Sequence, residues 1–388
     1  MSLEKINGIK KAACVGLTTI ALMGGMAREA RAETTSDLEY EVTEIKLPNF
    51  PFNEAISINN SGELIGMSGY IPIGQPCPMK PPPPPKSFFY KNGNLTDYSE
   101  IWAVAINDLG DILFTYGVDH QSLIYKLGEK IQLDFYGSAM NNKGEVVGEK
   151  YLYSGGQKIE LIPTKWTKLL AINDNTVIAG LVYEATALEA FVLRNGVVIK
   201  LECPVFDPNN IPSSHEIYPY DINNKNQIVG GVTEYVYVPF SYRFYGCVWD
   251  ENGKVKELGP ERSIFYAIND KGQVVGTADY ISFIYPEGYI DYKTKAILYQ
   301  NKQVINLDDF LTENSPFLSL DKATDINNKG QIVGTGVTYT GWVGATYVIR
   351  TSAFILTPKP KPSPDLNEDG IVNLYDLSEL AEHWLEER

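Results

Sequence analysis

Short apolar runs alternate with clusters of Asn, Asp and Gly through most of this chain. One such alternation recurs as "SINNSGELIG" from Ser57, "AINDLGDILF" from Ala105, "AMNNKGEVVG" from Ala139, "AINDNTVIAG" from Ala171, "DINNKNQIVG" from Asp221, "AINDKGQVVG" from Ala267 and "DINNKGQIVG" from Asp325. The copies lie about 30 to 60 residues apart, the period of propeller blades and other repeat units. A second pattern falls between them. It reads "SFFYKNGNLTDY" from Ser87, "SLIYKLGEKIQL" from Ser122, "YLYSGGQKIEL" from Tyr151, "AFVLRNGVVIKL" from Ala190, "GCVWDENGKVKEL" from Gly246, "AILYQNKQVINL" from Ala296 and a truncated "AFIL" from Ala353. An aromatic–aliphatic run, a tight Asn/Gly turn and a run ending in Leu form a hairpin signal.

Each unit therefore predicts four strands, A to D, and seven units predict an all-β, seven-bladed β-propeller. The last unit stops after its strand C. The segment "YEVTEIKLP" (Tyr40 to Pro48) reads as the missing strand D, and pairing it into the last blade would close the ring and remove an exposed edge. An open β-solenoid, the structural rival, would need no such complementary truncation. The repeated Ile-Asn-x-x-Gly-x-Ile-Val-Gly followed by Ala-Phe resembles the extracellular repeat family called HAF, over about Tyr40 to Thr357. The His of that family's name is absent before Ala190, Ala296 and Ala353. The resemblance implies export and a repeat fold.

The turn residues read as scaffold. Counting from the Ile or Met that precedes the Asn, the fifth place is Gly62, Gly110, Gly144, Gly272 and Gly330, with Asn226 in the fifth copy. Gly and then Asn is the order of preference for left-handed backbone. Thr176 stands there in the fourth copy, and Asn175 is expected to take the left-handed position instead. The Asn after Ile (Asn59, Asn107, Asn141, Asn173, Asn223, Asn269 and Asn327) is expected to bond local backbone in an Asx-turn. A metal loop is disfavoured, because Lys143, Lys225, Lys271 and Lys329 fall where cation ligands would be needed.

Chemistry is sought on the opposite face, where the B–C and D–A connections open. Long B–C segments occur in blade five (Gly231 to Tyr245), blade six (Thr277 to Lys295), blade seven (Thr335 to Ser352) and blade one (Met67 to Lys86). The candidate ligand face is Tyr235, Tyr237, Tyr242, Tyr280, Tyr285, Tyr289, Tyr339 and Trp342. Two readings stand: these side chains extend strands B and C and pack between blades, or they recognise a glycan or protein. An enzyme is disfavoured. His120 and His215 lie in no nucleophile motif, and Asp279, Glu287, Asp291, Asp308, Asp309 and Asp321 are the acids from which a glycosidase pair would have to come.

"PKPKPSP" (358–364) reads as a stiff linker. Residues 365–388 follow with "DLNEDGIVNLYD", an EF-hand-type loop. Asp365, Asn367, Asp369, the Ile371 carbonyl, Asn373 and Asp376 are the expected calcium ligands, with Gly370 at the bend. Leu374, Leu377, Leu380, Ala381, Trp384 and Leu385 then line one helix face. Over Asp365 to Leu385 the segment resembles one repeat of a type I dockerin. That resemblance implies a cohesin-like or self partner, although dockerins usually carry two repeats.

The start and the charge set the compartment. Lys5, Lys10 and Lys11, the apolar run from Ala12 to about Met26 and Ala30-Arg31-Ala32 have the layout of a signal peptide over residues 1–32. The run is too short and too thinned by Gly and Thr for a membrane span. Cleavage removes five cations and two carboxylates, taking the net charge from −15 to −18. No basic cluster remains, so nucleic acid is not an expected partner. Cys77, Cys203 and Cys247 are no disulfide framework, although a Cys203–Cys247 bridge is open to an exported chain. The expectation is thus an exported, calcium-binding interaction module with its propeller over 33–357. The alternative is a polysaccharide-active enzyme carrying a dockerin-like tail.

Overall fold

The computed structural model describes residues 38–47, 50–69, 86–99, 101–116, 121–126, 128–162, 166–184, 187–204, 213–237, 240–284, 290–343 and 346–359. The expected signal peptide and the calcium loop lie outside these residues. Within them the chain folds into seven four-stranded antiparallel sheets, a seven-bladed propeller. Blade 1 is β2 (Phe52–Ile58), β3 (Leu64–Gly69), β4 (Lys86–Lys91) and β5 (Asn94–Ser99). Blade 2 is β6 (Trp102–Ile106), β7 (Ile112–Tyr116), β8 (Gln121–Lys126) and β9 (Glu129–Leu133). Blade 3 is β10 (Ala139–Met140), β11 (Val146–Gly148), β12 (Tyr151–Ser154) and β13 (Gln157–Glu160). Blade 4 is β14 (Thr167–Ile172), β15 (Ile178–Glu184), β16 (Ala187–Arg194) and β17 (Val197–Lys200). Blade 5 is β18 (Ser213–Ile222), β19 (Ile228–Tyr237), β20 (Phe240–Trp249) and β21 (Val255–Glu261). Blade 6 is β22 (Ser263–Ile268), β23 (Val274–Ile284), β24 (Ile290–Gln300) and β25 (Gln303–Asn306). Blade 7 is β26 (Ser319–Ile326), β27 (Ile332–Val343) and β28 (Thr346–Pro358), completed by the N-terminal strand β1 (Tyr40–Ile45).

The closure matches the expectation from the truncated last unit. Strand β1 runs antiparallel to β28 from Tyr40 opposite Pro358 to Ile45 opposite Ala353. It covers the outer edge of blade 7 with chain from the other end of the sequence, so the last blade is not left as three strands. Ile45 and Leu47 then join Ala55, Ile58, Leu64, Phe88, Val333, Ala353 and Ile355 in one apolar cluster between blades 7 and 1. The same arrangement holds elsewhere: the core lies between sheets, as in the blade 4–5 cluster of Ala179, Val192, Ile228, Val232 and Trp249.

The last Gly of the repeat has a steric cause. Strand A of blades 1, 2, 4, 5, 6 and 7 carries a register irregularity just before the Ile-Asn pair. A Cβ on Gly276 would stand 1.9 Å from the Ile264 carbonyl oxygen. No side chain fits there. Turn glycines answer a different demand, with Gly272 at φ +82°. In the fourth copy Thr176 itself adopts φ 59°, so the expectation that Asn175 would take that position is corrected. A β-branched residue is costly there, and Thr176 Oγ1 donates to Glu145 Oε2 of the preceding blade at 2.8 Å.

The Asn after Ile does more than close its own turn. In the sixth copy Asn269 Oδ1 accepts from the backbone N–H groups of Lys271 and Gln273, each at 3.0 Å, as an Asx-turn requires. Its Nδ2 meanwhile donates to the backbone carbonyl of Asn327 in the next blade at 3.0 Å. Asn59, Asn107, Asn141, Asn173, Asn223 and Asn327 do the same to the blade that follows each, at 2.8–3.2 Å. Seven amides thus form a closed circuit around the propeller, each only 3–4 % exposed.

A second circuit lies beside the first. Each following residue receives the backbone N–H of its counterpart in the preceding blade: Asn60 donates to Asp108, Asp108 to Asn142, Asn142 to Asp174, Asp174 to Asn224, Asn224 to Asp270, Asp270 to Asn328 and Asn328 to Asn60, at 2.7–2.9 Å. The identities alternate between amide and carboxylate. An amide can donate to the carboxylate beside it, as Asn142 Nδ2 does to Asp174 Oδ2 at 3.0 Å, whereas two carboxylates would repel. Asn142→Asp would line up three carboxylates at 108, 142 and 174. It should lower unfolding free energy by about 1–3 kcal/mol, with a smaller loss in acid, read by urea denaturation at neutral and low pH; an unchanged midpoint at neutral pH would refute the alternation argument.

Candidate functional site

The two circuits belong to the A–B turns, and they line a vestibule of about 160 Å³ together with Ile58, Met140 and their counterparts. Each ring Asn uses its Oδ1 for two backbone N–H groups and its Nδ2 for the next blade. This end of the molecule is scaffold.

The opposite face is built differently. The long B–C segments of blades 5, 6 and 7 are not loops. They are continuations of β19–β20, β23–β24 and β27–β28, whose strands run 10 to 13 residues. Three neighbouring blades therefore raise a wall of hairpins. Part of the long D–A segments is also regular: β18 starts at Ser213, and a 3-10 turn spans Leu307–Phe310.

The expected ligand residues are spread over this wall, one group per blade. Tyr235 and Tyr242 are direct cross-strand partners, and Tyr242 is 59 % exposed. Tyr235 donates its hydroxyl to Glu216 Oε2 at 3.2 Å, as does Tyr218. Tyr280, partly buried, packs against the core cluster between blades 5 and 6. Tyr339 stands opposite Arg350, whose guanidinium lies 5.5 Å from its ring centroid. Both line a cleft of about 700 Å³ at the blade 7–1 seam, with Phe50, Pro51 and Pro316. Tyr237 and Trp342 lie near hairpin tips, in register with Phe240 and Tyr347. Tyr285 and Tyr289 fall outside the described residues. Of the described members, Tyr339 is the one that lines the cleft at the blade 7–1 seam.

Of the acids from which a glycosidase pair would have to come, Asp279, Asp308 and Asp321 have partners within the wall. Asp279 binds Arg262 through both Nε (3.1 Å) and Nη2 (3.0 Å), and that guanidinium lies 4.0 Å from the Tyr292 ring centroid. Asp308 binds Lys295 at 2.6 Å and accepts the Leu320 N–H at 2.6 Å. Burial raises the Asp321 carboxyl, although it accepts from Ser319 Oγ at 2.6 Å. His120, Glu287 and the Asp291 side chain are outside the description. Cys203 and Cys247 are free thiols against the same apolar cluster, both raised by burial, Cys203 to about 11. Among the described residues no group of three or more His, Cys, Asp or Glu could hold a metal ion. None of their helices is long and apolar enough to cross a membrane.

No protein-family model matches the sequence, and no curated protein sequence matches it. The fold has counterparts among solved structures. A streptogramin B lyase structure is 12 % identical with TM-score 0.41, over 84 % of this chain and all of that one. The extracellular domain of a hybrid two-component system from B. thetaiotaomicron is 12 % identical with TM-score 0.43, over 81 % of this chain and 39 % of that one. The β-propeller domain of the Trilobed protease from Pyrococcus furiosus is 11 % identical with TM-score 0.34, over 82 % and 85 %. No activity passes to this chain from any of them.

Sequence reasoning missed the inner end of the elaborated face. Two residues before Ile, blades 1, 2, 4 and 7 carry Ile56, Val104, Leu170 and Thr324, but blades 5 and 6 carry Tyr220 and Tyr266. Aligning the copies and reading that variable column would have found them. One residue before Ile, Ala or Ser gives way to Asp221 in blade 5 and Asp325 in blade 7. Each ties its blade to the next, Asp221 Oδ2 accepting the Ile268 N–H and Asp325 Oδ2 the Ile58 N–H, both at 2.9 Å.

Burial, and then the charge of Asp325, pushes the Asp221 carboxyl up to about 7, and burial raises Asp325 as well. A carboxyl at about 7 when folded, against 3.8 as its ordinary value, takes up protons on folding. Its contribution to stability is complete below the unfolded value and is lost as pH rises through about 7. Wild type should therefore lose melting temperature between about pH 4 and about pH 8 more steeply than Asp221→Ala. Parallel profiles would exclude this carboxyl as the cause.

Proposed function

We propose that this is an exported, calcium-binding propeller that acts as a binding or cell-surface interaction module through its hairpin face. One observation carries the reading: hairpins are prolonged in three consecutive blades and leave large side chains in solvent. Tyr242, Ile281 (56 % exposed) and Tyr339 (39 %) stand on adjacent hairpins, with Tyr292 and Ile349 beside them. Grouped exposure of this kind on one side marks a contact surface. The ligand is a glycan or a protein. Nucleic acid is disfavoured by a net charge of −15.

The wall supports binding over catalysis, since Asp279 and Asp308 are held by cations. A polysaccharide-active enzyme is the rival. Full-length protein incubated with a polysaccharide panel should release no reducing ends above a buffer control; release would overturn the non-enzymatic reading. On a glycan and cell-envelope protein array, the triple variant Tyr242→Ser, Ile281→Ser, Ile349→Ser should lose the signal that wild type gives. An equal signal from both would remove the wall from the site.

Export rests on the layout of residues 1–32, and the HAF resemblance agrees with it. The tail reading rests on oxygens at the spacing of an EF-hand-type loop, Asp365, Asn367, Asp369, Ile371, Asn373 and Asp376. Adjacent carboxylates there repel one another without a cation. The single dockerin-like repeat would serve a cohesin-like partner, a second copy, or retention at a surface. Calorimetry with calcium should show one site in the full chain and none after Asp369→Ala. An unchanged titration would refute the ligand assignment.

A further inference from the structure

Four side chains from four consecutive blades meet around the inner end of the elaborated face. Tyr220 of blade 5 and Tyr266 of blade 6 lie with ring centroids 5.4 Å apart, tilted by 60°. Lys322 Nζ of blade 7 stands 5.2 Å from the Tyr266 centroid. The same ammonium binds Glu54 Oε1 of blade 1 at 2.8 Å. All four belong to strand A, which stands first in its sheet, and the A strands of successive blades contact one another around the ring. They precede the Ile-Asn pair, so they lie toward the D–A entrance and away from the Asn circuits. Trp102 continues the arc, because it occupies in blade 2 the strand position that Glu54 occupies in blade 1.

The scaffold does not need an aromatic ring at either Tyr position. The column that holds Tyr220 and Tyr266 tolerates Ile, Val, Leu and Thr in other blades. Tyr220 remains 39 % exposed and Trp102 51 % exposed. Neither the Tyr220 nor the Tyr266 hydroxyl, nor the Trp102 indole N–H, has a hydrogen-bond partner among the described residues. Aromatic faces with unused polar tips, grouped at one mouth, are the chemistry of a ring-shaped ligand that is apolar on its flat side and polar at its rim. The charge balance narrows the class. Lys322 and Glu54 cancel each other, which leaves Lys168, at the same strand position in blade 4, as the one further charge at that position, and the acidic chain as a whole repels polyanions.

We infer that the mouth formed by Tyr220, Tyr266, Lys322, Glu54 and Trp102 is a binding site for a neutral glycan chain. Sugar rings lie against the aromatic faces, and their hydroxyls bond the Glu54–Lys322 pair and the free phenol and indole groups. The inference rests on the binding-module reading above and gives it a ligand class and a place nearer the axis than the hairpin wall.

The test uses full-length protein and a panel of neutral hexasaccharides with gluco, manno, xylo and galacto configurations, followed by calorimetry and by Trp and Tyr fluorescence. At least one member should bind, and Tyr220→Ala and Tyr266→Ala should each weaken it about tenfold or more. Tyr220→Phe and Tyr266→Phe keep the stacking ring and should stay within about threefold of wild type. They also serve where an alanine variant fails to fold, since a Phe variant that weakened binding about tenfold would overturn the stacking. Binding that survives both alanine changes but is lost in the Tyr242, Ile281, Ile349 triple variant would overturn the mouth and leave the wall reading standing. Failure of every hexasaccharide, or binding of a peptide array that the alanine variants abolish, would overturn the ligand class.

Discussion

The fold depends on one interaction repeated around a circle: an Asn amide that closes its own turn with its oxygen and grips the next blade with its nitrogen. The side chain suits both tasks because donor and acceptor are fixed on opposite sides of one planar group. Asp would lose the donor, and Ser is too short to reach both partners. Apolar clusters between the blades supply the bulk of the burial, but such packing is tolerant of sliding. The amide circuit is not. It sets the angular position of each blade by a bond of about 3 Å to its neighbour.

This division explains why the two faces differ. Around the Asn circuits the polar groups are bonded to one another, and the turns are too short to vary. A blade can change only at its other end, where strands A, B and C can lengthen without touching the circuit. Blades 5, 6 and 7 did so, and their hairpins are held by local devices such as the Arg262 guanidinium between Asp279 and Tyr292. Tyr220 and Tyr266 fit the same logic. They sit just beyond the last residue that the circuit constrains, in a column where the scaffold accepts almost any side chain.

The amount of this that was legible in the sequence follows from how local each cause is. Seven units, four strands each and closure by Tyr40–Ile45 are carried by periodic apolar runs and a missing strand, and these are local patterns. The Asx-turn at Asn269 is local too. Its bond to Asn327 joins residues 58 positions apart, and no pattern around Asn269 announces it. The alternation of Asn60, Asp108, Asn142, Asp174, Asn224, Asp270 and Asn328 was in plain view, yet it acquires meaning only once these residues are known to be neighbours. Whether the long B–C segments extend strands B and C stays open in the sequence because Gly, Pro and Tyr there obscure the alternation of a strand. Thr176 misled for a further reason. Its left-handed backbone is tolerated in a turn that the Asn173 and Glu145 bonds hold in place, which local preference cannot express.

An odd number of blades gives the second circuit a defect that the rest of the structure meets at one place. Alternation of amide and carboxylate cannot close on seven, so two like residues must adjoin. Two carboxylates would repel, and the chain instead places two amides together, Asn328 beside Asn60. This is the one junction of that circuit whose pair contains no carboxylate, so no amide–carboxylate bond between the two side chains can add to the backbone N–H, as it does between Asn142 and Asp174. It is also the junction between blades 7 and 1, where the only covalent link runs through strand β1, so that the ring is closed by the non-covalent pairing of β1 with β28. Three further ties fall on it: Asp325 to the Ile58 N–H, Lys322 to Glu54, and Thr324 Oγ1 to the Ala55 carbonyl at 2.8 Å. Strand β1 adds a full ladder within blade 7 and carries Ile45 and Leu47 into the cluster between the two blades. The Glu54–Lys322 pair that shapes the mouth is therefore part of the closure as well, so a ligand engaging it would also bridge the seam at which the ring would open.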